Sequence, residues 1–89
     1  MPLAGDIIQG VRDNEGFDID IYAAGGDRPV NVNRELPGDD YDIETRGHVS
    51  VTRWESRFTT LYPTFSAKIK NPDGGYRHGR TLLSTVRGT

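Results

Sequence analysis

Five short runs of this chain alternate apolar with polar side chains, and that period of two constrains the fold more than any other feature. Phe17, Ile19 and Ile21 alternate with Asp18 and Asp20, and Val30 and Val32 with Asn31 and Asn33. Tyr41 and Ile43 alternate with Asp42 and Glu44, Val49 and Val51 with Ser50 and Thr52, and Phe65, Ala67 and Ile69 with Ser66 and Lys68. Successive side chains of a strand point to opposite faces, so each run reads as a strand with one wet face. Turn-forming clusters at 13–16, 25–29, 37–40 and 71–74 separate the runs. No stretch shows convincing helical spacing, and 6–11 reads as one helical turn or a first strand. Short strands spaced by about 8–12 residues predict an all-β domain, a small antiparallel sandwich or barrel with short hairpins and little or no helix. Its expected core is Phe17, Ile19, Ile21, Val30, Val32, Ile43, Val49, Val51, Phe65 and Ile69.

Eighty-nine residues are enough for one domain, 1–89, with 1–5 read as an arm and 84–89 as a tail. Leu, Ile, Val and Phe together make 20 of the 89 residues, a thin core, but a net charge of −2 is too small for a disordered chain. There is no cysteine, so neither disulfides nor thiolate metal sites can reinforce that core. No apolar run approaches the roughly 20 residues of a membrane span, and no membrane partner is expected.

The stretch 71–74 is a turn by its chemistry. Pro72 presets φ for the first central position, Asp73 follows, and Gly74 can take the left-handed conformation. The expected hairpin sets Ile69 opposite Tyr76, Ala67 near His78 and Lys68 near Arg77.

Charge is divided along the chain. Residues 1–45 hold eleven acids and three arginines, a net of −8, and residues 46–89 hold eight bases and two acids, a net of +6. Three arrangements accommodate this split. The halves interleave in one sheet, or an acidic face of one subunit meets a basic face of the next, or a basic face binds nucleic acid. The last would use Arg46, Arg53, Arg57, Lys68, Lys70, Arg77 and Arg80, with Trp54, Tyr62 or Tyr76 for stacking. The acidic half would repel phosphates across the same small body. Lys68, Lys70, Arg77 and Arg80 are therefore expected to meet protein carboxylates, in this chain or in a neighbour.

Catalytic signals are weak. His48 and His78 have no metal-ligand spacing, the serines lack a nucleophile context, and the glycine-rich pieces match neither phosphate nor dinucleotide loops. No cofactor is implied. Asp18 and Asp20 would offer hard oxygen ligands for Ca²⁺ if their strand lay beside Asp39, Asp40, Asp42 and Glu44, although a solvated acidic face explains them as well. A paired-carboxylate hydrolase would need a cleft that so thin a domain leaves little room for.

Two resemblances add to this. The stretch 36–43 (LPGDDYDI) resembles the turn-plus-tyrosine entry to a strand in immunoglobulin-like sandwiches, which implies a corner locked by the Tyr41 hydroxyl on nearby backbone. The octapeptide 1–8 (MPLAGDII) is similar to the starts of small virion-associated proteins of actinobacterial phages, which implies a minor structural or decoration subunit. The expected function is a non-enzymatic assembly or protein-interaction module using Asp18, Asp20, Asp39, Asp40 and Asp42 on its acidic side and the basic residues on the other. The alternative is a small nucleic-acid-binding module or an inhibitor of a host nucleic-acid enzyme.

Overall fold

In the computed structural model, which describes residues 2–88, the chain opens with a helix, α1 (Ala4–Glu15). Ala4, Ile7 and Val11 recur at the spacing of one helical face and are fully buried. Leu3 enters the helix extended, and its N–H is accepted by the Asp6 carboxylate at 3.4 Å. Asp6 in the first turn and Arg12 in the last suit the helix dipole. Gly16 ends the helix in the left-handed conformation at φ 84°, its N–H returning to the Arg12 carbonyl.

Strands β1 (Ile19–Ala23) and β2 (Phe65–Ile69) pair antiparallel, with Ile19 opposite Ile69 and Ile21 opposite Ala67. Ile19, Ile21, Phe65, Ala67 and Ile69 share the buried face, while Ser66 and Lys68 lie on the wet face with Asp20 and Tyr22. Here the period-two reading holds. The ribbon's outer edges are met by isolated contacts: the Val30 N–H reaches the Ile21 carbonyl, the Arg77 N–H reaches the Ile69 carbonyl, and the Glu55 carboxylate accepts from the Ile69 N–H at 3.1 Å. Burial raises the pKa of that carboxyl above its ordinary value.

Helix α2 (Val51–Leu61) starts at Ser50, whose hydroxyl accepts from the Arg53 N–H. Val51, Trp54 and Phe58 face inward, and Tyr62 just past the last turn is buried as well. Trp54 sits at the centre of an aromatic group, edge-on to Phe17 at 5.1 Å and tilted to Phe58 at 5.7 Å. Helix α3 (Leu83–Arg87) closes the core with Leu83 and Val86.

The expected all-β sandwich or barrel is therefore corrected to a mixed α/β fold, with three helices on one two-stranded antiparallel ribbon among the described residues. The physical reason is visible in two places. The pairs Val30/Val32, Tyr41/Ile43 and Val49/Val51 are too short to separate a strand from extended coil or a helix entry. In 51–61 the β-branched and aromatic residues favour strands by propensity, yet their 3.6-residue spacing buries one face and overrides it. Two expected core residues are on the surface, Val32 at 56% and Ile43 at 39% exposure, and Val30 is half-buried; the other seven are buried. Residues 4–5 belong to α1 and 83–87 to α3, while Met1 of the expected arm and Thr89 of the tail lie outside the described residues.

The 71–74 tip forms as expected, with Gly74 at φ 95° and its N–H on the Asn71 carbonyl at 3.0 Å. The register differs by one residue: Lys70, not Ile69, faces Tyr76. After the Arg77 N–H reaches the Ile69 carbonyl no strand follows among the described residues, so Lys68 and Arg77 are not a cross-strand pair.

Candidate protein-interaction groove

Glu15, the last residue of α1, buries its side chain completely. Oε2 accepts from the Tyr41 hydroxyl at 2.5 Å, the Thr45 hydroxyl at 2.5 Å and the Trp54 indole N–H at 2.8 Å. Oε1 accepts from the Thr45 N–H at 2.6 Å and pairs with Arg87 at 3.0 Å. Burying a carboxylate is costly unless its lone pairs are met, and here donors converge on both oxygens. A carboxylate at a helix C-terminus opposes the dipole, so tertiary contacts must hold it there. Burial, and then the hydrogen bond to Glu15, push the Tyr41 phenol above its ordinary pKa.

These bonds pin a segment that has no regular structure of its own. Residues 41–45 form a strap across α1 and α2. The Asn14 amide donates to the Tyr41 carbonyl at 3.2 Å, and a Cβ at Gly10 would stand 2.6 Å from that same carbonyl oxygen. Gly10 thus lets the strap lie directly on the helix.

Because Tyr41, Thr45 and Trp54 turn their polar atoms inward to Glu15, they leave mostly carbon facing out. The result is a groove of about 240 Å³ between the strap and α2, with Tyr41, Trp54 and Phe58 along it, Ile43 and Leu61 at its edge and Arg57 on its rim. A second depression of about 210 Å³ shares Tyr41, Ile43 and Leu61 but is lined by Asp39, Asp40 and Asp42. Ile43 (39% exposed) and Leu61 (40%) line both depressions and so form a divide, with Arg57 lining the first and Asp39, Asp40 and Asp42 lining the second. The Tyr62 hydroxyl donates to the Asp39 carbonyl at 2.8 Å. Its phenol is pushed up to about 12 by burial and then by the field of Asp40, Asp42 and Asp39.

The residues singled out from the sequence fall in several places. Asp18 is bound by Arg12 at 2.6 Å. Asp20 lies 3.8 Å from Lys70 and accepts from the Tyr76 hydroxyl at 2.7 Å. The Lys68 ammonium stands over the Tyr22 and Tyr76 rings, 5.1 and 5.2 Å from their centroids. The two hydroxyls are 2.5 Å apart, and this bond, followed by that to Asp20, raises the Tyr76 pKa. Acidic β1 and basic β2 are neighbours, with Asp20 opposite Lys68. Arg53 and Arg57 are exposed one turn apart on α2, Arg46 is exposed in the turn before it, and Arg77 and Arg80 follow the hairpin. Asp39, Asp40 and Asp42 are exposed beside the groove. They do not converge with Asp18 and Asp20, and no group of three or more His, Cys, Asp or Glu among the described residues could hold a metal ion.

Tyr41 corrects the immunoglobulin-like expectation, because its hydroxyl bonds a glutamate on a distant helix and not nearby backbone. Sequence reasoning missed Glu15, Thr45, Leu61 and Arg87 altogether. A signal for Glu15 exists: it continues the Ala4, Ile7, Val11 face of α1, the one charged member of an otherwise apolar stripe.

No family model, curated protein or solved structure matches this chain. The phage-particle association has no support beyond its eight residues, of which 2–8 lead into and begin α1 in the structure. Among the described residues no helix is long and apolar enough to cross a membrane.

Proposed function

We propose that this chain is a protein-interaction module without a catalytic role, and that it docks a protein segment in the groove between the 41–45 strap and α2. The observation that carries the proposal is the pairing of Ile43 and Leu61, two large apolar side chains exposed together beside a groove formed by buried aromatic residues. Exposed apolar surface next to charged flanks is the usual composition of a docking site. Fully burying an aliphatic side chain contributes about 1.5–3 kcal/mol, and these two are already part-covered, so the contact is a modest one that charge must help to direct. Glu15 is a poor candidate for a general base, since both oxygens are already engaged by donors. The nucleic-acid alternative needs stacking side chains, and two of its three, Trp54 and Tyr62, are in the core.

A peptide-display selection on the wild type and on Leu61→Asp tests this. Leu61 is partly exposed, so the variant should fold. Peptides enriched on the wild type should lose binding to the variant, and their amide-shift footprint should fall on 41–45 and 57–61. Peptides held equally by both proteins, or a footprint elsewhere, would remove the groove from the proposal.

A further inference from the structure

We infer that the occupant of this groove is a second copy of the chain, bound about a two-fold axis through the Ile43–Leu61 divide. The inference rests on the reading of the groove as a docking surface. A two-fold contact places one patch on itself, so the patch must be self-complementary. This one is. Its centre is apolar, Arg57 lies on one side, and Asp39, Asp40 and Asp42 lie on the other. A half-turn about the centre sets each divide against its equivalent and brings each Arg57 over the partner's carboxylates.

The charges available for this are uncommitted within the chain. Arg12–Asp18, Lys70–Asp20 and Arg87–Glu15 pair within the chain, and none of these ion pairs uses Arg57, Asp39, Asp40 or Asp42. A basic partner would satisfy the carboxylates and leave Arg57 facing a like charge, and an acidic partner would do the reverse. A second copy satisfies both sides at once. Arg53, one helical turn from Arg57, extends the same cationic flank.

The size of the contact sets its strength. A standard interface covers about 800 Å² per partner, and the whole accessible surface of this chain is 5449 Å². A contact confined to one helix flank and a five-residue strap is a small one, which places the dimer among weak, concentration-dependent associations. Charge pairs across an exposed rim are screened by salt, so association should weaken as ionic strength rises.

Sedimentation equilibrium of the full chain, from about 10 µM to 1 mM at low salt, reads the association by mass action. The wild type should move from monomer toward dimer mass across that range. Arg57→Glu should weaken the association roughly tenfold or more, and so should Asp40→Lys/Asp42→Lys, by setting like charges together. An equimolar mixture of the two variants should recover wild-type association to within about threefold, because both contacts then join opposite charges. Unchanged denaturant midpoints will show that the variants fold. A wild type that stays monomeric at 1 mM overturns the second copy, while Leu61-dependent peptides would still uphold the groove. A wild type that dimerises without rescue by the mixture places the dimer on another face and overturns the inference equally.

Discussion

Replacing Glu15 with Gln tests whether one buried carboxylate ties the helices and the strap together. An amide keeps one oxygen and turns the other position into a donor. If the NH₂ takes the Oε1 position it meets the Thr45 N–H and the Arg87 guanidinium, neither of which can accept. If it takes the Oε2 position it meets the Trp54 indole N–H, which cannot accept either, although the Tyr41 and Thr45 hydroxyls can rotate to do so. The second orientation is the milder one, with a single donor–donor conflict. A hydrogen bond to a charged group contributes about 1.5–3 kcal/mol, and breaking a buried pair from one side costs about 3–5 kcal/mol. With Arg87 still partly hydrated, the expected loss for Glu15→Gln is about 3–4 kcal/mol, a large share of the roughly 5–15 kcal/mol available to a domain. Urea denaturation followed by the fluorescence of Trp54, the only tryptophan, should show a lower midpoint at unchanged slope. Adding Trp54→Phe removes the conflicting donor, so in the same denaturation followed by far-ultraviolet circular dichroism, which needs no tryptophan, the double variant should lose less than the two single losses together. A Glu15→Gln protein within about 1 kcal/mol of the wild type would refute the claim that these donors depend on the carboxylate.

Other consequences are more local. Gly10→Ala should destabilise by about 1–3 kcal/mol in the same assay, because its Cβ would press on the Tyr41 carbonyl; no change would mean that the strap lifts freely. Ile69→Ala, at a fully buried site, should lose about 2–5 kcal/mol, whereas Ile43→Ala should stay within about 0.5 kcal/mol, and equal losses would contradict the burial assigned to them. The Tyr41 pKa is raised on folding, so its contribution is fully present below the unfolded value near 10 and is lost as pH rises toward the folded value. Stability should therefore fall above about pH 10, and Tyr41→Phe should flatten that decline in a pH series of denaturant midpoints.

Some of this molecule was legible from residues alone. The turn at 71–74 was, because Pro72 and Gly74 set backbone angles through their own covalent structure, with no help from distant contacts. The inward faces of β1 and β2 were, because Phe17, Ile19 and Ile21 and likewise Phe65, Ala67 and Ile69 carry three apolar members each, enough to show a period. The placing of acidic β1 beside basic β2 was among the arrangements that the charge split allowed. Tertiary structure decided the rest. The alternations at 30–33, 41–44 and 49–52 look alike in sequence and end as coil, a strap and a helix entry. Ile43 was expected inside and Leu61 was not considered, yet together they edge the groove. The reason is separation along the chain. Glu15 is buried only because donors 26, 30, 39 and 72 positions away meet around it, and no local pattern records an encounter of that kind. Once it is buried, Tyr41 and Trp54 turn their polar atoms inward, and their apolar atoms line the groove that Ile43 and Leu61 edge.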